Sequence, residues 1–159
     1  MAISQAMTNS FKVDILSGGM NFNTTNRALT LNTQDSFRIG LYSSAATLDA
    51  TTTAYTNTNE ITGTGYTNTG VQSTSGLALT ISQVPTSAGT PTTTAYINFT
   101  NPAWTSATFS ADGALIWNAS NSGHSVAVLS FGGTKSVSSG TFTITMPTAG
   151  TGSSILQIA

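Results

Sequence analysis

The residues able to do acid–base or nucleophilic chemistry are few and widely spaced in this chain. Its 159 residues include five acidic and four basic side chains, one histidine and no cysteine. Most enzymatic catalysis needs ionisable groups held close together. His124, Asp112 and one of the many serines are the only set that suggests a nucleophilic triad, and no Gly-x-Ser-x-Gly elbow accompanies them. We therefore expect no catalytic residue, and we expect His124 to be a surface residue.

The carboxylates do not follow a metal-binding or glycosidase pattern. Asp49, Glu60 and Asp112 lie far apart in sequence and lack the spacing of a calcium-binding loop. A glycoside hydrolase needs two carboxylates about 5–10 Å apart, which scattered acids rarely supply. One carboxylate with loop carbonyls in residues 43–70 is the remaining arrangement for calcium. We expect no metal and no cofactor.

One glycine-rich segment superficially resembles a phosphate-binding loop. It reads SFGGTKS at 130–136, with Thr134 where a glycine must precede the lysine and Val128 where the first glycine belongs. No amphipathic helix follows to direct its N-terminus at a phosphate. The segment therefore predicts a glycine hairpin and no nucleotide site.

The low charge of the chain bears on its partners. Charged residues make up 6% of the sequence and the net charge is −1, against about 25% charged residues in an ordinary domain. Proteins near zero net charge tend to associate, so we expect contact with other protein. The four basic residues are scattered, which excludes a nucleic-acid footprint. No apolar run approaches the roughly 20 residues of a membrane span, and the N-terminus does not read as a secretory signal.

The elements that must position these residues are mostly β-strands. Apolar and polar residues alternate over several short runs, which indicates half-buried strands. The clearest alternating triplets are Phe37/Ile39/Leu41, Leu77/Leu79/Ile81 and Phe142/Ile144/Met146. One short helix is predicted near residues 8–17, capped by Asn9 or Ser10 and ended by Gly18 and Gly19, with a strand as the alternative.

Two runs, GALIWN at 113–118 and HSVAVLSF at 124–131, are apolar on both faces, as in central strands. Turns are predicted at Asp112-Gly113, at 121–123 and at Gly132-Gly133. About eight strands at this spacing, without crossover helices, predict an all-β fold. We expect one antiparallel, jelly-roll-like β-sandwich domain over 1–159, with an N-terminal arm at 1–34 and the sandwich body at 35–159.

The stretch from 43 to 70 is long and nearly uncharged, and such connections are usually functional or covered by a partner. A solvated loop is the alternative. Tyr55 and Tyr66 within it are candidate interface anchors, or they close one end of the core. Phe11 and Phe22 are the corresponding interface candidates in the N-terminal segment. Trp104 is flanked closely by strands, which favours a core position.

Several segments resemble, in identity and order, a family of small tailed-bacteriophage structural proteins. These are DSFRIGLYSSAATLDATTTAYTNTNEITGTGY (35–66), NPAWTSATFSADGALIWNAS (101–120) and SVAVLSFGGTKSVSSGTFTITMP (125–147), and SFKVDILSGGMNF (10–22) fits the same pattern. The resemblance covers nearly the whole chain and carries no catalytic signature.

The resemblance implies a virion structural protein, most simply a cement or decoration protein on the outer capsid surface that bridges capsomers. The implied partners are the major capsid protein and other copies of the chain, as a dimer or trimer. A tail- or fibre-associated structural protein is one alternative, and copy number per virion distinguishes it from a capsid protein. A carbohydrate-binding sandwich on the virion surface is another, and it needs an exposed aromatic platform.

Overall fold

The computed structural model describes residues 2–22, 34–83, 95–148 and 155–158. Part of the predicted N-terminal arm, residues 23–33, lies outside these ranges. The described elements, in chain order, are β1 Ala6–Met7, α1 Asn9–Ser17, β2 Phe37–Tyr42, β3 Leu77–Leu79, β4 Ile81–Gln83, β5 Ala95–Phe99, β6 Ala103–Asn118, β7 His124–Thr143 and β8 Leu156–Ile158.

The strands form a five-stranded sheet in the order β1-β7-β6-β2-β3 and a three-stranded sheet in the order β4-β5-β8. Every pairing between these strands is antiparallel. The predicted all-β, antiparallel sandwich with one short helix is therefore confirmed. Jelly-roll connectivity is not confirmed, because the described strands divide five and three. The predicted strand through Leu77 and Ile81 serves both sheets, since the chain crosses between them at Thr80.

The short N-terminal helix is confirmed, and the alternative of a strand is wrong. Thr8, in extended conformation, caps α1 by accepting a hydrogen bond from the Phe11 N–H at 3.4 Å. The cap is thus one residue earlier than predicted. Gly18 ends the helix with φ of 76°, a left-handed conformation that glycine adopts without steric cost.

Both faces of the central strands are buried, as the doubly apolar runs predicted. One face packs in a large main core, which holds Phe37, Ile39 and Leu41 of β2 and reaches Phe99 of the second sheet, with ring centroids of Phe37 and Phe99 5.6 Å apart. The opposite face packs in a second core. Its buried members are Tyr42, Ala46, Leu48, Leu115, Trp117 and Val128.

The chain does not turn at Asp112-Gly113 or at Gly132-Gly133, so both turn predictions are wrong. β6 and β7 run through these positions as one long hairpin. Ala111 pairs with Lys135 and Gly113 with Ser130, so residues 131–134 lie opposite Asp112 alone. This is a β-bulge, and Gly132 and Gly133 have φ of 68° and 141° within it. The predicted turn at 121–123 does connect the two strands.

Candidate functional site

A buried polar cluster surrounds Glu60, whose side chain belongs to the long connection between β2 and β3. Glu60 is 7% exposed. The Tyr66 hydroxyl donates to its Oε1 at 2.6 Å, and the Tyr55 hydroxyl donates to its Oε2 at 2.6 Å. Ser75 Oγ lies 2.8 Å from Oε1 and 3.0 Å from Oε2 and also donates. The carboxylate is therefore fully hydrogen-bonded by hydroxyl groups of its own chain.

The sheet positions this cluster through β2. Glu60 forms an isolated antiparallel bridge with Tyr42. The Tyr66 hydroxyl accepts a hydrogen bond from the Leu41 N–H at 2.8 Å. On the other side, Arg38 Nε donates to the Ser75 carbonyl at 2.7 Å. The Glu60 cluster thus attaches two parts of the connection, at Tyr66 and at Ser75, to strand β2.

The rest of the connection also lies on the sheet. Tyr55 N–H donates to the Gly123 carbonyl at 2.8 Å, and Ser125 N–H donates to the Thr53 carbonyl at 3.0 Å. Further along, Thr64 bridges Thr108 of β6. Residues 43–76 therefore act as a covering layer on the large sheet, with Ala46 and Leu48 in the second core and Ile61 and Tyr66 in the main core. The connection is long because it crosses the large sheet from the start of β7 to Thr108 of β6.

Chemically, the Glu60 cluster holds a loop and does not present an acid to a substrate. A carboxylate accepts hydrogen bonds only, and its two oxygens are already occupied by three hydroxyl groups. The arrangement is typical of a structural buried carboxylate, because buried charges are stable only where they are hydrogen-bonded.

Burial raises the pKa of Tyr42 and Tyr66 well above the ordinary tyrosine value, and the negative charge of Glu60 adds to the effect. Burial, with the hydrogen bond to Glu60, also raises the pKa of Tyr55 to about 12. A raised pKa means that these tyrosines hold their protons more tightly in the folded state than in the unfolded state. Its contribution to stability is fully present below the unfolded pKa of about 10 and is lost as pH rises through the folded pKa.

We therefore expect the free energy of unfolding to fall steeply above pH 10, by up to about 1.4 kcal/mol per pH unit for each of Tyr42 and Tyr66. Urea unfolding at a series of pH values measures this slope. Tyr66→Phe should reduce the slope, since it removes one of the ionising groups. Tyrosinate absorbance should appear together with loss of the native circular dichroism. An identical slope in Tyr66→Phe would contradict the assignment.

The candidate interface residues of the N-terminal segment lie in the main core. Phe11 and Phe22 are both buried. Their ring centroids are 6.0 Å apart in an edge-on arrangement, and Phe22 stacks on Phe37 at 4.7 Å. In this conformation neither ring offers surface to a partner.

The two candidate tyrosines of the connection are likewise used within the subunit. Tyr66 is buried and packs 6.2 Å from Trp104, which is buried in the main core as predicted. Tyr55 is half-buried, and its ring centroid is 4.6 Å from that of Trp117. Their hydroxyls both bind Glu60, so their role in the folded chain is to fasten the covering layer.

The residues considered for a triad do not meet. His124 Nδ1 lies 2.9 Å from the Oδ2 atom of Asp14, a buried residue of α1. Asp112 instead accepts a hydrogen bond from Thr134 at 2.7 Å. His124 is partly exposed, and its contact with Asp14 holds the helix against the start of β7. Asp49 caps a turn, where hydrogen bonds from the Thr51 hydroxyl and N–H lower the pKa of Asp49.

In the ranges the structure describes, no three acidic, histidine or cysteine side chains lie close enough to hold a metal ion. Segment 130–136, compared above with a phosphate loop, is part of strand β7 and its bulge. It is followed by more strand rather than by a helix.

The outward face of α1 is the candidate functional surface. Its Val13 and Leu16 are 62% and 89% exposed. They lie three residues apart and so share one face of the helix. Thr8 and Ser10 fix the base of the helix through hydrogen bonds to the Ser125 carbonyl at 2.7 and 3.0 Å. The sequence pattern does not separate Val13 and Leu16 from Phe11, the interface candidate in the same helix, because both faces of a short amphipathic run look alike without the sheet beside it.

The aromatic residues present no platform. All seven phenylalanines, four tyrosines and two tryptophans lie in the described ranges, and each is buried or half-buried. The large apolar side chains that are exposed in those ranges are Val13, Leu16 and Val71.

No family model, curated protein or solved structure matches the chain. Within the described ranges, no helix has the length and apolar content that crossing a bilayer requires.

Proposed function

We propose that this chain is a non-catalytic virion structural protein of a tailed bacteriophage, a cement or decoration protein that binds the outer capsid and bridges neighbouring capsomers. The proposal begins from the resemblance of its segments to small phage structural proteins. The single structural observation that supports it best is the exposed apolar face of α1, Val13 and Leu16, on a molecule with almost no surface charge.

Large apolar side chains in solvent favour association, because their burial against another protein removes apolar area from water. Burial of Leu16 contributes the most to the free energy of association, since 89% of this side chain is exposed in the free protein. The helix is rigidly placed by its contacts with β7, so little conformational entropy is lost when it binds. Lys12 is the one charged residue exposed on this helix, which limits the cost of removing polar groups from water at the contact.

A tail or fibre location uses the same chemistry and is separated from the capsid by copy number. The carbohydrate-binding alternative lacks its expected feature, because none of the aromatic rings is exposed. Sugar-binding sandwiches of that kind depend on such rings, so we do not propose it.

The test is to purify the phage particles that encode this chain, locate the protein by imaging and count its copies. Hundreds of copies over the shell support the proposal. A few copies at the tail, or absence from the particle, contradict it.

A variant tests the surface itself. Leu16→Ser should weaken binding to the capsid by about 1–3 kcal/mol, the range for a residue central to an interface. Stability of the free protein should change by less than about 0.5 kcal/mol, because Leu16 is exposed there. Val71→Ser is the matched control, since it makes the same kind of change at an exposed apolar residue of the covering layer. Equal capsid occupancy of Leu16→Ser and the parent would exclude α1 as the contact.

A further inference from the structure

The outer edge of strand β7 is unpaired over most of its length. On one side β7 pairs with β6 from His124 to Thr143. On the other side β1 pairs only with Ala127 and Val128. In the ranges the structure describes, no backbone group of residues 131–143 makes a hydrogen bond across that second side. An open strand edge of this kind is a template for another strand.

The direction of the backbone groups follows from one hydrogen bond. The Thr108 N–H of β6 donates to the Thr64 carbonyl at 3.0 Å, away from β7. Because backbone groups alternate along a strand, Phe109 and Ala111 face β7. Their partners Val137 and Lys135 therefore face β6. The N–H and C=O groups of Ser136 consequently point to the open side. Continuing the same alternation past Val137 makes Ser138, which has no partner in β6, the next outward residue.

Two of the usual obstacles to pairing, charge and proline, are nearly absent from this edge, although bulges interrupt it. Natural edges are usually protected by charged residues, proline or bulges. Residues 131–143 contain one charged residue, Lys135, and no proline. The bulge at 131–134 and the register shift at 138–139, where Ser139 is left-handed with φ of 50°, bound a regularly paired stretch at 135–137. Three regularly paired residues are thus available at the edge, and Lys135 is the one charged residue among them.

An apolar groove accompanies the edge on the core side. It has a volume of about 410 Å³ and is lined by Phe131, Lys135, Phe142 and Ile144 together with two threonines. Val137 lies on the same face, because it is paired with the buried Phe109. A strand added at the edge would cover these half-buried side chains as well as satisfy Ser136 and Ser138.

We propose that the occupant of this edge is the β7 edge of a second copy, paired antiparallel about a two-fold axis that passes through Val137. Ser136 of each copy then lies opposite Ser138 of the other, and both residues present free N–H and C=O groups. The inference rests on the proposed virion role, whose resemblance implies self-association, and it names the surface that forms the dimer. The result is one continuous sheet across the dimer.

The charges are compatible with a second copy in this register. Lys135 carries the only charge on the edge, and no described acidic group forms an ion pair with it. With Val137 on the axis, the two Lys135 residues are four positions apart along the strands, about 13 Å. That exceeds the screening length of about 8 Å at physiological salt. A net charge of −1 on each chain adds little repulsion.

Replacing the outward N–H gives the first test. Ser136→Pro removes a donor that points to the open side and leaves the ladder with β6 intact. Ser136→Ala is the matched control, because both variants lose the Ser136 hydroxyl, which is 2.7 Å from that of Ser110. We expect the parent and Ser136→Ala to sediment as dimers. In Ser136→Pro dimerisation should weaken about thirtyfold, the effect of losing two ordinary hydrogen bonds.

Ser138→Lys serves where Ser136→Pro alters the fold, as judged by circular dichroism, because it adds charge at an exposed edge position without removing a backbone donor. It should also shift the chain to monomer. A parent that stays monomeric at all concentrations, or edge variants that dimerise as tightly as Ser136→Ala, would overturn the inference. Capsid occupancy is measured separately, so loss of this dimer does not by itself remove the proposed virion role.

A cysteine at the axis tests the register. The chain has no cysteine, so Val137→Cys introduces a single thiol. Residues facing each other in a non-hydrogen-bonded antiparallel pair have Cα atoms about 4.5 Å apart, within the range that a disulfide spans. Mild oxidation should give a covalent dimer rapidly. Thr58→Cys, at an exposed position of the covering layer, should not, and equal cross-linking of the two variants would contradict the register.

Discussion

Replacing Glu60 with leucine is expected to lower the free energy of unfolding by about 3–5 kcal/mol. The carboxylate accepts hydrogen bonds from Tyr66 and Ser75 in the interior and from Tyr55 near the surface. Leucine leaves the two buried hydroxyls without an acceptor, and an unsatisfied buried donor costs about 1–3 kcal/mol. The third hydroxyl can turn to water. The covering layer should therefore come away from β2.

Urea unfolding followed by circular dichroism measures this loss. Glu60→Gln keeps one carbonyl acceptor in nearly the same volume and should cost less than Glu60→Leu. Asp49→Asn is the matched control for charge, because Asp49 lies at an exposed turn of the same layer. A loss below about 1 kcal/mol in Glu60→Leu, the worth of one ordinary hydrogen bond, would mean that the cluster does not hold the layer.

Trp117→Ala should lower the free energy of unfolding by a similar amount, about 3–5 kcal/mol. This is the usual range for truncating a buried tryptophan. Trp117 is 0% exposed and is the largest side chain of the second core. Its indole N–H donates to the Gln72 carbonyl at 2.8 Å. A Cβ atom at Gly40 would lie 3.0 Å from the Trp117 ring, so the indole packs directly against the backbone of β2. Alanine leaves a cavity that β2 and β6 cannot close.

Chemical denaturation of Trp117→Ala and Trp117→Phe separates the two contributions. Phenylalanine restores most of the volume and loses only the hydrogen bond to Gln72, so its cost should be nearer 1–2 kcal/mol. Similar costs for the two variants would show that the hydrogen bond outweighs the packing. A negligible cost for Trp117→Ala would show that the second core adds little to stability.

The strands and helix could be predicted where the pattern is local. The alternation of Phe37, Ile39 and Leu41 predicts the residues of β2 that share the main core, while the burial of Tyr42 on the other face depends on the covering layer. The glycines at 132 and 133 could not be assigned in the same way. A left-handed glycine serves a turn or a bulge equally well, and the choice depends on the partner strand. Gly132 lies in a bulge and not in a turn, because β7 pairs with β6 both before it, at Ser130, and after it, at Lys135.

The role of the covering layer depends on contacts between residues far apart in sequence. Glu60 is the one acid between Asp49 and Asp112, and two tyrosines flank it at five and six residues. That isolation was the available signal for a buried carboxylate with hydroxyl partners. The sequence alone does not show that Ser75 and Leu41 complete the cluster, because nothing local brings them together. The exposure of Leu16 was hidden for the same reason.

The long β6–β7 hairpin has a consequence for the order in which the chain folds. Asn118 pairs with His124 across a short turn, whereas Ala6 must find Val128 and Phe37 must find Asn118. Closing the longer of these loops costs about 3 kcal/mol more chain entropy than closing the turn. The β6–β7 hairpin can therefore form early, with pairing that starts next to the turn at 119–123 and extends outward. During synthesis, α1 and β2 leave the ribosome before the strands on which they pack. Helix α1 and strand β2 must therefore wait for β6 and β7 before their packing is complete.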